Sequence, residues 1–245
     1  FVGFLMAGWG SDNKYSLLGA LRAAAQLMSY EVPFILAVVG VVMVTGTLNL
    51  NAIALEQEVR PLVLVQPLGF LLFLAAALAE MNRTPFDIAV GESEIVGGPF
   101  VEYSGIRWGI FFLGEYTALW VTSTLGALVF FGGWNWPKGD EVGFPLQLAL
   151  TMGKSVLLIL LVFTIRAALP RLRIDQLMSF AWKILIPVSL AQIILNGLVL
   201  VYDWPEELIS VFSFALVGVT VMAVRMIIRN TPKVAMRALE RRLAS

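Results

Sequence analysis

Cysteine and histidine are both absent from the 245 residues, and the two absences close off much of protein chemistry. Without either there is no disulfide framework, no Cys- or His-ligated iron–sulfur cluster, haem or structural zinc, and no Ser-His or Cys-His nucleophile pair. Charge is scarce too. Charged residues make up 14% and hydrophobic ones 59%, where soluble domains average about 25% and about 45–50%. With a mean hydropathy of +0.84, the composition excludes an ordinary soluble enzyme. Lys plus Arg and Asp plus Glu number 17 each, so there is no net basic field for nucleic acid and no solvating acidic tail. Any chemistry rests on carboxylates, Lys, Arg or Tyr, and no metal site is expected.

What the chain does have is apolar length. A helix needs about 20 largely apolar residues to cross the hydrocarbon, where only helices and closed barrels satisfy their own backbone. Such runs occupy 17–50, 61–79, 106–131, 145–165, 178–201 and 208–228. The chain opens at Phe1 inside the short apolar run 1–8, which reads as the stub of a helix whose N-terminal part is missing. The expected fold is therefore an all-α polytopic membrane protein. It has six full transmembrane helices plus a partial N-terminal one, forming a single helical domain over 1–228 with a basic tail over 229–245. The first run is long and carries Arg22, Gln26 and Glu31; it is expected to tilt, to bend near Pro33 or to extend past the membrane.

Cation placement orients these spans. If the loop 9–16 is inside, 14 of the 17 Lys and Arg residues lie on or near that side, leaving Arg60 and Lys138 outside and Lys154 within a span. The positive-inside rule then assigns the acidic loop 80–105 and the C-terminus to the cytoplasmic face. The outer segments carry Trp134, Trp136, Tyr202 and Trp204, as an interfacial aromatic belt does. The tail places basic residues at helical spacing among Val234, Met236, Leu239 and Leu243. It reads either as a stop-transfer flank or as a helix along the inner surface.

Three ionisable residues fall well inside spans: Glu31, Glu115 and Lys154. An ion at a helix centre costs roughly 2.5–3.5 kcal/mol on insertion scales. Glu115 shares a helix face with Trp108, Phe111, Phe112, Leu119 and Thr122, and Lys154 with Gln147, Thr151 and Leu158; both faces are expected to point into the bundle. Either such residues pair to lock packing, or they form a proton path, since desolvation raises a carboxylate's pKa toward neutrality. The loop favours the second reading. Within 23 residues it holds Glu80, Asp87, Glu92, Glu94 and Glu102, with Arg83 and Arg107 as counter-charges. The apolar residues among them, Phe86, Ile88, Ile95, Val96, Phe100 and Val101, mark a folded, half-buried loop instead of a solvated turn.

The segment AEMNRTPFDIAVGESEIVGGPFVEYSG, residues 79–105, strongly resembles the hallmark loop of the quinone-chamber membrane subunit of respiratory complex I, the proton-pumping NADH:quinone oxidoreductase. The similarity extends through GWGSDNKYSLLGALRAAAQLMSYE (8–31), FFLGEY (111–116), FFGGW (130–134) and IRAALPRLRIDQLMSFAWKILIPVSL (165–190). It covers most of the chain up to about Val201. The resemblance implies a multi-pass subunit of the bacterial cell inner membrane, or less readily the mitochondrial one, that forms part of a quinone chamber. That chamber is joined by an acidic funnel to the antiporter-like subunits. Carried over position by position, Glu31, Asp87, Glu92, Glu94, Glu102 and Glu115 fall on the funnel. Arg22, Arg83, Lys154 and Arg166 fall on basic positions, and Phe86, Trp108 and Phe112 lie near the quinone cavity.

The same resemblance implies quinone as substrate and no redox centre on this chain. FMN and iron–sulfur clusters would reside in partner subunits, and the contacts would be with peripheral-arm subunits, antiporter-like subunits and lipid. Val90 stands where many relatives have a further Glu, which removes one carboxylate from the funnel. Three alternatives remain open: the equivalent subunit of a ferredoxin-fed or hydrogenase-type complex, an ion-coupled secondary transporter, and a membrane scaffold. No inverted repeat is visible to favour the transporter.

Overall fold

A computed structural model describes residues 2–58, 60–82, 86–87, 97–136, 143–170, 172–202, 204–205 and 207–222, and the regular structure among them is helical throughout. In chain order the helices are α1 Val2–Gly10, α2 Lys14–Thr45, α3 Leu50–Glu56, α4 Leu62–Val65 and α5 Pro67–Glu80. A 3₁₀ turn at Gly98–Phe100 leads to α6 Gly105–Phe131 and α7 Phe144–Ala168. The last two are α8 Ile174–Val201 and α9 Glu207–Met222. Three of these, α2, α7 and α8, are long and apolar enough to cross a membrane.

The boundaries follow local chemistry. Asn13 begins α2, its side-chain oxygen accepting the Tyr15 N–H at 3.0 Å, and Gly46, at φ +66°, ends it by returning its N–H to Val42 O. Glycine adopts that left-handed cap without the Cβ penalty. The run expected over 17–50 therefore starts earlier and stops sooner, passing through Pro33 without ending there. The run expected as one span over 61–79 is instead two pieces broken at Gln66, which sits at φ −129° and ψ 65°. Pro67 causes the break, because a residue preceding proline is pushed out of the α region. In α8, Pro187 has no N–H to offer the carbonyl four residues back. The chain widens there into a π turn over Ala181–Leu185, whose closing bond runs from the Ile186 N–H to Ala181 O.

Helix α2 is the hub, packed against α1, α5, α8 and the 3₁₀ turn. An aromatic cluster joins it to α5 and the end of α6: Phe34 stacks on Phe73 at 5.0 Å, and Phe73 meets Phe130 at 5.3 Å. Gly126 makes room for that ring, since a Cβ there would come within 2.9 Å of Phe73. Polar side chains repair the break at Gln66. Its Nε2 donates to Gly40 O at 3.0 Å, Asn196 Nδ2 donates to the same carbonyl at 3.3 Å, and the Leu68 N–H in the first turn of α5 donates to Ser213 Oγ of α9. Of these bonds, the last satisfies a backbone donor that the break leaves without an intrahelical partner, while the two to Gly40 O tie Gln66 and α8 to α2.

Candidate functional site

The residues that hold the acidic loop share one stripe of α2: Ser16, Gly19, Ala23, Gln26 and Tyr30, spaced three or four apart and all buried. At the upstream foot of the loop, Gln26 Nε2 donates to Ala79 O at 2.7 Å and to Phe86 O at 2.8 Å. The Phe86 ring, buried, lies between Tyr30 at 5.7 Å and Phe180 at 6.4 Å. Tyr30 in turn donates its hydroxyl to Leu177 O at 3.0 Å, and Trp182 Nε1 donates to Ser29 Oγ at 3.2 Å, which ties α8 to the same knot. At the downstream foot Ser16 Oγ donates to Pro99 O at 3.3 Å, and Gly19 lets Gly98 and Pro99 rest directly on the helix. Tyr103 donates to Ala7 O at 3.1 Å, and Asn13 Nδ2 donates to a Glu102 carboxylate oxygen at 2.9 Å.

The expected acidic residues distribute unevenly over this frame. Glu31 is exposed on α2, one position beyond Tyr30, and lies near enough to Glu80 for the two carboxylates to sense each other. Burial first, and the Glu31 charge second, hold the Glu80 carboxyl above the usual carboxylate range. Asp87 is half-buried beside Phe86, and Glu102 is exposed. Glu115 is half-buried on α6, on the same face as a ladder of rings in which Trp108 meets Phe112 at 4.6 Å and Phe112 meets Tyr116 at 5.4 Å. Arg22 is half-buried on α2 and Arg166 exposed near the end of α7. Arg83, Glu92, Glu94 and Val90 lie outside the described residues.

One expectation needs correction. The face of α6 that carries Glu115 does not point wholly into this chain's bundle: Trp108 is 44% and Tyr116 42% exposed, while only Leu119 on that face is buried. Of the residues expected near the quinone cavity, Phe86 is an interior ring and Trp108 a surface one. Lys154 does face the interior as expected, but its ammonium donates to the carbonyls of Phe131 (2.7 Å), Gly133 (2.6 Å) and Trp136 (2.5 Å). From the sequence, Gln26 is only a polar residue in an apolar run. The signal the sequence carries is an amide spaced four residues from Tyr30 on one helix face.

A titration consequence follows from Glu80. Because its carboxyl is raised in the folded chain, the folded state bears a cost above that raised value and none below the ordinary carboxylate range. Glu80→Gln is thus expected to match wild type in thermal stability near pH 4 and to gain on it as pH rises through the raised range. Melting curves of the detergent-solubilised chain across pH read this directly.

A sequence model of the family described as NADH dehydrogenase matches residues 1–197. The chain belongs to the NADH dehydrogenase family. Relatives in it are named as the H-subunit of NADH-quinone oxidoreductase. The protein of Dehalococcoides mccartyi is 47% identical over 196 residues, covering 80% of this chain and 54% of that one. That of Brevibacillus brevis is 48% identical over 202 residues (82% and 60%), and that of Bacillus cytotoxicus 47% over 198 (81% and 59%). The chain thus spans somewhat more than half the length of these family members. The family match takes in α1 to α7 and nearly all of α8, including both feet of the acidic loop and the Lys154 site, while α9 lies beyond it.

Proposed function

We propose that the chain is a membrane subunit of a proton-translocating NADH:quinone oxidoreductase, and that it lines part of a quinone chamber and passes the effect of quinone reduction to a proton path. The names of its relatives support the assignment. Within the chain, the observation that carries it is that Gln26 of α2 holds the carbonyls just ahead of Glu80 and Asp87, with Glu31 of the same helix near enough to raise Glu80. The chain is a single helical domain over 1–228 in a bacterial cell membrane, with the acidic loop and the basic tail 229–245 on the cytoplasmic face. Its partners are peripheral-arm and antiporter-like subunits, which carry FMN and the iron–sulfur clusters, together with lipid.

In this scheme, two-electron reduction of a quinone takes up two protons and places charge beside the loop. A carboxyl already held above its ordinary range responds to such a charge by a further change in its proton affinity. Glu31, Glu80, Asp87, Glu102 and Glu115, with Glu92 and Glu94, form the acidic path. Arg22, Arg83 and Arg166 balance its charge, and Phe86, Trp108 and Phe112 stand at its quinone end. Lys154 holds α6, the helix that bears Glu115, through carbonyls instead of pairing with a path carboxylate.

Glu31→Gln in the assembled complex tests the reading. The expected result is a complex of normal subunit content whose NADH-driven proton uptake by membrane vesicles falls at least fivefold. Retention of both quinone turnover and proton uptake would show that α2 serves as scaffold only.

A further inference from the structure

Gln26 is 1% exposed, and both of its side-chain N–H groups donate to backbone carbonyls. The acceptors are not arbitrary. Ala79 O immediately precedes Glu80 in the chain, and Phe86 O immediately precedes Asp87. One side-chain amide therefore fixes the backbone directly ahead of two acidic residues, from a helix position five residues before a third, Glu31. We propose that Gln26 is the positioning residue of the acidic loop, setting Glu80 and Asp87 in place relative to Glu31 by clamping the carbonyls of Ala79 and Phe86.

The choice of side chain supports a positioning role. Lys or Arg could also donate two bonds here, but a cation beside carboxylates favours their ionised forms and pulls their pKa values down. Glutamine supplies two donors from one atom and no charge, so it fixes geometry while leaving the carboxyls free to be raised. Among the described residues, Gln26 Oε1 and Asn82 Oδ1 are buried and meet no donor. The neighbouring contacts converge on the same point: Phe86, whose carbonyl is clamped, has its ring held by Tyr30, one turn along α2.

The inference rests on the acidic-path reading above and is tested in the assembled complex in membrane vesicles with two variants. Gln26→Leu keeps the volume and removes both donors. Gln26→Glu keeps the shape and supplies one O–H donor only while the introduced carboxyl is protonated. With complex content normalised by immunoblot, Gln26→Leu is expected to lower NADH:quinone turnover or protons moved per turnover at least fivefold at every pH. Gln26→Glu is expected to fall similarly at alkaline pH and to recover toward wild type on acidification. Wild-type turnover and pumping in Gln26→Leu would overturn the proposal, as would a Gln26→Glu defect independent of pH. If Gln26→Leu does not accumulate, the pH profile of Gln26→Glu alone decides. Glu31→Gln run alongside separates the two claims: if it pumps normally the acidic path is wrong, and if it fails while both Gln26 variants pump normally only the clamp is wrong.

Discussion

Lys154→Met is expected to prevent the chain from accumulating in a stable assembled complex, with Lys154→Arg recovering only part of the loss. A helix leaves its last four carbonyls without intrahelical partners, and at the end of α6 side chains take most of them. Gln57 Nε2 donates to Leu128 O at 3.2 Å and Val129 O at 3.1 Å, and Lys154 takes Phe131 O along with Gly133 O and Trp136 O beyond it. The chain can fold back to present those carbonyls because Gly132 and Gly133 sit at φ +65° and +47°. The ammonium also approaches the Trp136 ring to 5.5 Å, and a cation at a helix C-terminus is favoured by the helix dipole. Hydrogen bonds to charged groups are worth about 1.5–3 kcal/mol each. Losing three comes to about 4.5–9 kcal/mol before the cost of desolvating the half-buried ammonium is set against it. Arg carries the charge, but its planar fork does not match three converging carbonyls. Native gels of solubilised membranes report the yield. Wild-type levels of the Lys154→Met complex would show that the carbonyl cup is not needed.

How far the sequence reveals this architecture depends on the kind of signal. Apolar length marks α7 to within a few residues, because a polar turn flanks it on either side. It fails at 61–79: the composition there is uniformly apolar, and only the pair Gln66–Pro67 encodes the break, through a backbone restriction that hydropathy does not register. The acidic loop is recognisable from its carboxylates interleaved with apolar residues, but its seat is not, because contacts such as Gln26 to Phe86 and Ser16 to Pro99 join residues 60 and 83 apart. Lys154 shows the limit from the other side. An intramembrane cation suggests a carboxylate partner, and nothing in the sequence says that three carbonyls, made to converge by two glycines, would serve in its place. The exposed half of α6 has the same origin: a helical period identifies a face with Glu115, Trp108 and Phe112 on it, but not which molecule covers that face.

Gly19→Ala is expected to unseat the downstream foot of the acidic loop. The cause is steric and local. A Cβ at Gly19 would stand 2.7 Å from the Gly98 Cα and 3.0 Å from both the Gly98 carbonyl carbon and Pro99 Cδ, so the obstruction is mainly backbone and cannot turn away as a flexible side chain would. Nor is the turn free to yield: Gly97 and Gly98 hold φ +100° and +56°, and Phe100 is wedged between Phe4 at 5.9 Å and Phe111 at 5.2 Å. Overpacking of this kind costs about 1–3 kcal/mol, and more where backbone must move; Gly19→Val belongs at the upper end. Displacing the turn breaks the Ser16–Pro99 bond and moves Glu102 away from Asn13, so the damage reaches an acidic residue without touching it. Amide exchange over residues 97–104 of the solubilised chain is expected to quicken in Gly19→Ala. In Gly153→Ala, where a Cβ meets nothing within 4 Å, it is expected to stay as in wild type. Equal exchange in all three would mean that the loop does not depend on its seat against α2.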